Sequence, residues 1–223
     1  MALTLPTFLG PARELPKAPV LSVFWESIAG SEASNDIGFS MLGQEAFNWC
    51  WSAVTQSVIF HLLNPRLDSQ ADIATNHIRH SRPTSPCLAD QGDVAGGKCD
   101  TVCSRPCNGF HKVRIVLEEI PFTVRPLAVD GAVAFEVIQR EIAARSPVVC
   151  RIDFGEGTGH FLCVTGWRVR NGQRDVLVHD PRSGPGGRQV PEKYMLYSDF
   201  ADHYVLQGAV GRNNYAYSVR LPA

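Results

Sequence analysis

The hydrophobic pattern changes period once along the chain, and the change falls at Ser146-Pro147. Before that point apolar residues recur at helical steps. Trp51, Val54, Val58 and Leu62 follow at intervals of 3, 4 and 4, and Phe110, Val113, Leu117 and Ile120 at 3, 4 and 3. A further helix is read from Ser69, with Asp72 three residues on, and another from Phe135, Ile138 and Ile142. Beyond Pro147 the pattern is that of strands: Val148 to Ile152, His160 to Val169, Asp175 to Asp180 and Tyr215 to Leu221. Arg170-Asn171-Gly172-Gln173 reads as a turn between two of them. Helices first and strands later predict an α+β chain with segregated lobes, not an alternating parallel sheet.

The helical lobe is expected over about 41–145 and an antiparallel β lobe over about 146–223. Residues 1–40 carry Pro6, Pro11, Pro16 and Pro19 and read as an N-terminal extension, a pro-region or a packing segment. At most one short strand is expected there, at Val20 to Trp25. The 223 residues allow one domain or a two-lobed unit, and a hydrophobic fraction of 44% is enough for a packed core. A formal net charge of −1 argues against a protein that tracks nucleic-acid phosphates. No apolar run approaches the roughly 18 residues of a membrane span. Met1 to Gly10 holds no Lys or Arg ahead of an apolar stretch, as a secretory signal would. These features predict a protein that is cytoplasmic or exported by a non-classical route.

Four residues carry chemistry. Asn48 reads as the N-cap of the first helix, which places Cys50 in its first turn. The helix dipole and free N–H groups there favour a thiolate, the nucleophilic form. A buried core cysteine is the competing reading. Gln44 lies six residues upstream, where a side-chain amide can donate to an oxyanion beside the Cys50 N–H. His160 opens an apolar strand directly after the turn Gly155-Glu156-Gly157-Thr158-Gly159. Asp180 ends the next strand, before Pro181, where a carboxylate can hold an imidazole tautomer.

Taken together, Gln44-x5-Cys50-Trp51-Ser52-Ala53, Gly159-His160 and Asp180-Pro181 resemble the papain-like cysteine peptidases. The likeness is to their compact bacterial branch, the effector-protease and bacteriocin-leader-peptidase types. It spans about residues 40 to 205. The resemblance implies a helical lobe, whose central helix carries the cysteine at its N-terminus, packed on an antiparallel β lobe carrying the histidine. It also implies Cys50 as nucleophile, His160 as general base then acid, Asp180 as orienting residue and Gln44 as oxyanion-hole donor. Three features separate the chain from plant and lysosomal members. Asn48-Trp49 replaces Gly-Ser before the cysteine, Asp180-Pro181 replaces an Asn-Ser-Trp run, and Cys50 and His160 are only 110 positions apart. A peptide or protein substrate is implied, with no metal or organic cofactor. Acyl transfer, deamidation or transglutamination by the same triad is the alternative, and an inactive binding module a more distant one.

Strand parity sets a geometric condition. A two-residue turn at Asn171-Gly172 pairs positions summing to 343, such as Trp167 with Val176. His160 and Asp180 sum to 340, so that register puts them on opposite faces. A catalytic pair requires an odd-length loop or a bulge, for which Gly166 is the candidate.

The remaining cysteines divide by setting. Cys87, Cys99, Cys103 and Cys107 crowd a Gly/Pro-rich loop. Disulfides among them, free thiols and zinc ligation are the open readings, although C-x3-C-x3-C is not the spacing of common zinc sites. Cys150 and Cys163 read as core hydrophobes. Trp51 and Trp167 are candidates for the walls of the cleft, and Tyr204 and Phe200 read as packing residues.

Overall fold

Helix α1 (Cys50–Leu63) is buried over its whole first half, from Cys50 to Val58. A helix enclosed on all sides belongs in the middle of a fold, and its polar residues must then find partners. Thr55 and Ser57 donate back to the carbonyls of Trp51 and Ala53 at 2.8 and 2.7 Å. Ser52 and Gln56 donate across to the backbone of Gln70 and Asp68 at 2.9 and 2.8 Å. These bonds fasten α1 to the start of helix α2 (Gln70–Ser81). The structure is a computed structural model and describes residues 32–63, 68–81 and 112–222.

The other described helices are α3 (Val113–Glu118), α4 (Phe135–Ala143) and α5 (Tyr197–Asp202). The strands are β1 (Ala33–Asp36), β2 (Thr123–Val129), β3 (Val148–Gly155), β4 (Thr158–Arg170), β5 (Gln173–His179), β6 (Glu192–Leu196), β7 (Tyr204–Leu206) and β8 (Ala209–Arg220). They form an antiparallel sheet in the order β2-β8-β3-β4-β5-β6, with β1 added to β4 and β7 to β8. The fold is therefore α+β, with α1 packed on an antiparallel β lobe. Trp49, Trp51, Val54, Val58, Ile138, Ile142 and the inward residues of β3 and β4 form one continuous core.

Three details differ from the expectation. Within 41–145, β2 is a strand that joins the sheet through β8, so that span is not wholly helical. Residues before 41 are also part of the sheet and core: Ala33–Asp36 pair with β4, and Ile37 and Phe39 are buried. The strand expected at 20–25 lies outside the described residues. The third difference is at α1, where the Ala53 N–H donates to the carbonyl of Trp49 at 2.9 Å, putting Trp49 and not Asn48 at the cap.

The β4–β5 hairpin meets the parity condition. Its turn has two residues, Asn171 and Gly172, both with positive φ, the type I′ geometry that suits the strand twist. Arg170 pairs with Gln173 and Gly166 with Leu177, at a sum of 343. Val164 pairs with Val178 and Cys163 with His179, at a sum of 342. Thr165 is the extra residue. Its bulge turns His160 and Asp180 to the same face. Gly166 beside it has no room for a side chain, because a Cβ would meet Asp36 Cβ at 2.8 Å and the Asn35 carbonyl at 2.9 Å. The bulge falls where β3 leaves the edge of β4 and β1 takes it over.

Candidate active site

Cys50, His160 and Asp180 come together where the first turn of α1 meets the ends of β4 and β5. His160 is the third residue of β4, held opposite Ile152 on β3. Asp180 follows the last residue of β5. All three are buried, with exposures of 5%, 3% and 8%. One imidazole nitrogen, Nε2, donates to Asp180 Oδ1 at 2.6 Å. The imidazole also lies beside the thiol of Cys50, near enough for each to shift the other's titration.

Electrostatics favour an ion pair between thiolate and imidazolium. Burial works against charge on Cys50, but the hydrogen bond and charge of His160 outweigh it. The Phe161 backbone and the Arg182 charge add to the effect, and the Cys50 thiol lies below its ordinary range. Burial likewise opposes charge on His160, while the bonds and charges of Asp180 and Cys50 raise it to about 9. Asp180 resists its own burial through three donors. These are His160 Nε2, the backbone N–H of Arg182 at 2.7 Å and the hydroxyl of Tyr204 at 2.5 Å. Its carboxyl stays below the ordinary range.

Tyr204 is thus more than the packing residue expected from its apolar neighbours; its hydroxyl completes the shell of Asp180. Arg182 is a second residue that the sequence reading missed. Its guanidinium donates to the Phe47 carbonyl at 2.9 Å and stacks on the Phe47 ring at 4.4 Å. It thereby bridges the segment after Asp180 to the turn that enters α1. Arg182 could have been suspected from Asp180-Pro181-Arg182-Ser183, where an Asx-type turn places the second residue on the carboxylate. Nothing in the spacing points to Tyr204.

Gln44, the expected oxyanion-hole donor, reaches the same turn. Its Nε2 donates to the carbonyls of Ala46 and Phe47 at 2.9 and 2.5 Å. Its Oε1 is buried with no partner among the described residues. Both amide protons brace the approach to Cys50. The Gln44 backbone N–H also donates to the Pro181 carbonyl at 2.9 Å, next to Asp180. Around it Gly43 and Gly186 let two backbones touch. A Cβ on Gly43 would lie 2.3 Å from the Pro185 carbonyl oxygen, and one on Gly186 2.9 Å from that of Gln44.

A cleft of about 710 Å³ opens on Cys50, lined by Trp51, Lys112, Arg151, Phe161 and Tyr215 among others. Trp51 is a wall of it, as expected. Trp167 is instead packed edge-on against Phe135, 6.2 Å between ring centres. Cys150 and Cys163 are buried free thiols whose pKa values burial pushes up, which leaves them protonated and inert. His179 is buried on the opposite face from Asp180, against the ring of Phe39. The loop cysteines Cys87, Cys99, Cys103 and Cys107 lie outside the described residues.

A family model described as the Peptidase_C39 like family matches residues 37–211. No curated protein matches the chain. Among solved structures, the chain is similar to digestive procathepsin L 3 of the Tenebrio molitor larval midgut. The two are 14% identical with a TM-score of 0.49, over 89% of this chain and 72% of that one.

Proposed function

The chain belongs to the Peptidase_C39 like family, so it is a cysteine peptidase, and we propose that it hydrolyses internal peptide bonds of a peptide or protein substrate through Cys50, His160 and Asp180. The observation that carries this reading is the buried grouping of Cys50, His160 and Asp180, in which His160 Nε2 donates to Asp180, Tyr204 caps that carboxylate, and His160 and Cys50 lie close enough to shift each other's titration.

The Cys50 thiolate attacks the substrate carbonyl carbon, and the carbonyl electrons move onto oxygen. The Cys50 N–H, at the first position of α1, precedes the helix's own hydrogen-bond ladder and is the first donor to that oxyanion. Gln44 is the second donor once its amide releases one of the two carbonyls it now holds. The His160 imidazolium gives its proton to the leaving amine as the C–N bond breaks, and a thioester remains on Cys50. His160, now neutral, takes a proton from water as it attacks the thioester, and the acid leaves with Cys50 restored. Asp180 keeps the imidazole oriented throughout. This sequence requires no metal or organic cofactor.

The test is the alkylation rate of Cys50 by iodoacetamide against pH, with site occupancy read by mass spectrometry. Cys50 is expected to react well below the range of a free thiol, and His160→Ala to return it to about 8.5. Titration of wild-type Cys50 near the free value would overturn the ion pair, and with it this mechanism. With substrate, the expected products carry new N-termini, and an added amine is not incorporated. Amine incorporation would make the enzyme an acyl transferase.

A further inference from the structure

The cleft at Cys50 is cationic on a wall that the catalytic groups do not use. Register sets Tyr215 of β8, Arg151 of β3 and Phe161 of β4 abreast, and residues opposite each other across antiparallel strands share a face. All three line the cleft. Gly159, directly before His160, makes room for the guanidinium: a Cβ there would lie 2.5 Å from Arg151 Nε and Nη2. The Arg151 charge therefore lies against the residue that precedes the proposed general base.

Arg151 is held, but loosely. Its Nη1 donates to Asn214 Oδ1 at 3.2 Å and stands 3.4 Å from Asp153 Oδ1, and its Nη2 reaches the Thr158 carbonyl at 3.5 Å. Asn214 also donates to Asp153 Oδ2 at 3.3 Å, so that carboxylate is shared. Arg151 Nε has no partner among the described residues. The Arg151 side chain is 21% exposed, so the guanidinium remains open to a ligand. Lys112 and Arg114 add two more cations to the lining. The carboxylate among the named lining residues, Glu118, is taken by Arg114 at 2.8 Å.

We propose that Arg151, with Lys112 beside it, forms a carboxylate-binding subsite that selects substrates carrying an acid group close to the scissile bond. The proposal rests on the peptidase reading above. An Arg fork between two aromatic side chains is suited to a planar carboxylate. Two sources offer that group: a Glu or Asp side chain, or the free C-terminus of a short peptide.

The test begins with a peptide that the enzyme cleaves out of a casein digest. It is remade with Glu or Gln at each position within three residues of the cut, each version as free acid and as amide. Affinity for Cys50→Ala protein is read by fluorescence anisotropy and kcat/KM with wild-type enzyme. A Glu-over-Gln preference of about fivefold or more is expected, shrinking as salt is raised. In Arg151→Gln the ratio should collapse towards one. A preference for free acid over amide, with none for internal Glu, would identify the C-terminus as the source. Should Arg151→Gln fail to fold by thermal melt, Lys112→Gln is used, and the ratio should again fall. Equal affinity in both comparisons, or a ratio untouched by the Arg151 change, would overturn the subsite. If no casein peptide is cleaved, the peptidase reading falls, and the same Glu/Gln and acid/amide comparison on casein peptides retained by Cys50→Ala protein decides the subsite alone.

Discussion

At the scale of single residues, the site is an exercise in keeping charges alive in a buried place. The raised His160 and lowered Cys50 make the ion pair the resting form between their two titrations. Activity is therefore expected to rise below the usual thiol range and to fall as His160 deprotonates near pH 9, which a pH profile of kcat/KM will show. Stability follows the same sign. His160 holds its proton more tightly folded than unfolded, so its contribution is complete below about pH 6.5 and is lost as pH rises through about 9. Arg182→Ala should move the acid limb of Cys50 alkylation upward, by less than His160→Ala, because its charge is the smaller influence on the thiol. Tyr204→Phe leaves Asp180 Oδ2 without that donor in a buried setting. It should cost about 2 kcal/mol in chemical denaturation. It should also raise the pH of acid unfolding, since a less stabilised carboxylate protonates sooner.

At the scale of elements, β4 organises the molecule. It carries His160, turns over at Thr165, and is bordered by β3, β1 and β5. Helix α4 is fixed to the sheet by Glu141, which is fully buried. It accepts from Ser218 at 2.8 Å, from Arg220 at 2.6 Å and from Arg125. Glu141→Ala should cost about 3 kcal/mol of unfolding free energy, because it removes the buried acceptor of all three donors. Much of this level could be read from sequence. The helical steps of Trp51, Val54 and Val58 are local, and so are the strand runs of β3, β4 and β5. The bulge followed from arithmetic on His160 and Asp180. Strands β1, β2, β6 and β7 are not legible in this way, and the first two are made by their partners. Ala33-Ser-Asn-Asp36 has no β preference of its own and is a strand because β4 offers an edge beside Gly166. Thr123–Val129, interrupted by Pro126, is a strand because β8 accepts it. Within the site, Cys50, His160 and Asp180 were legible because each interrupts an apolar run. Tyr204 was not, since a tyrosine among hydrophobic neighbours reads the same whether or not its hydroxyl has a task.

At the scale of the whole molecule, acid is the expected weakness. His179 is buried against Phe39, with Glu192 Oε2 3.8 Å from its Nε2, and burial, opposed by the Asp36 charge, lowers it to about 4. The unfolded chain takes up that proton from about pH 6.5 downwards, while the folded one refuses it until about 4. Folding should therefore lose up to about 3 kcal/mol across that interval, and His179→Phe should flatten the stability profile there. The stitching of Gly43 and Gln44 to the segment after Asp180 has a consequence in time. The cysteine is made early and its helix is local, but the groups that activate it arrive with β4, β5 and Tyr204, far along the chain. Cys50 depends on partners 110 and 154 positions further along, His160 and Tyr204, so its thiol is expected to stay ordinary until they have assembled around it. A rapid thiol label on Cys50 would then time that assembly.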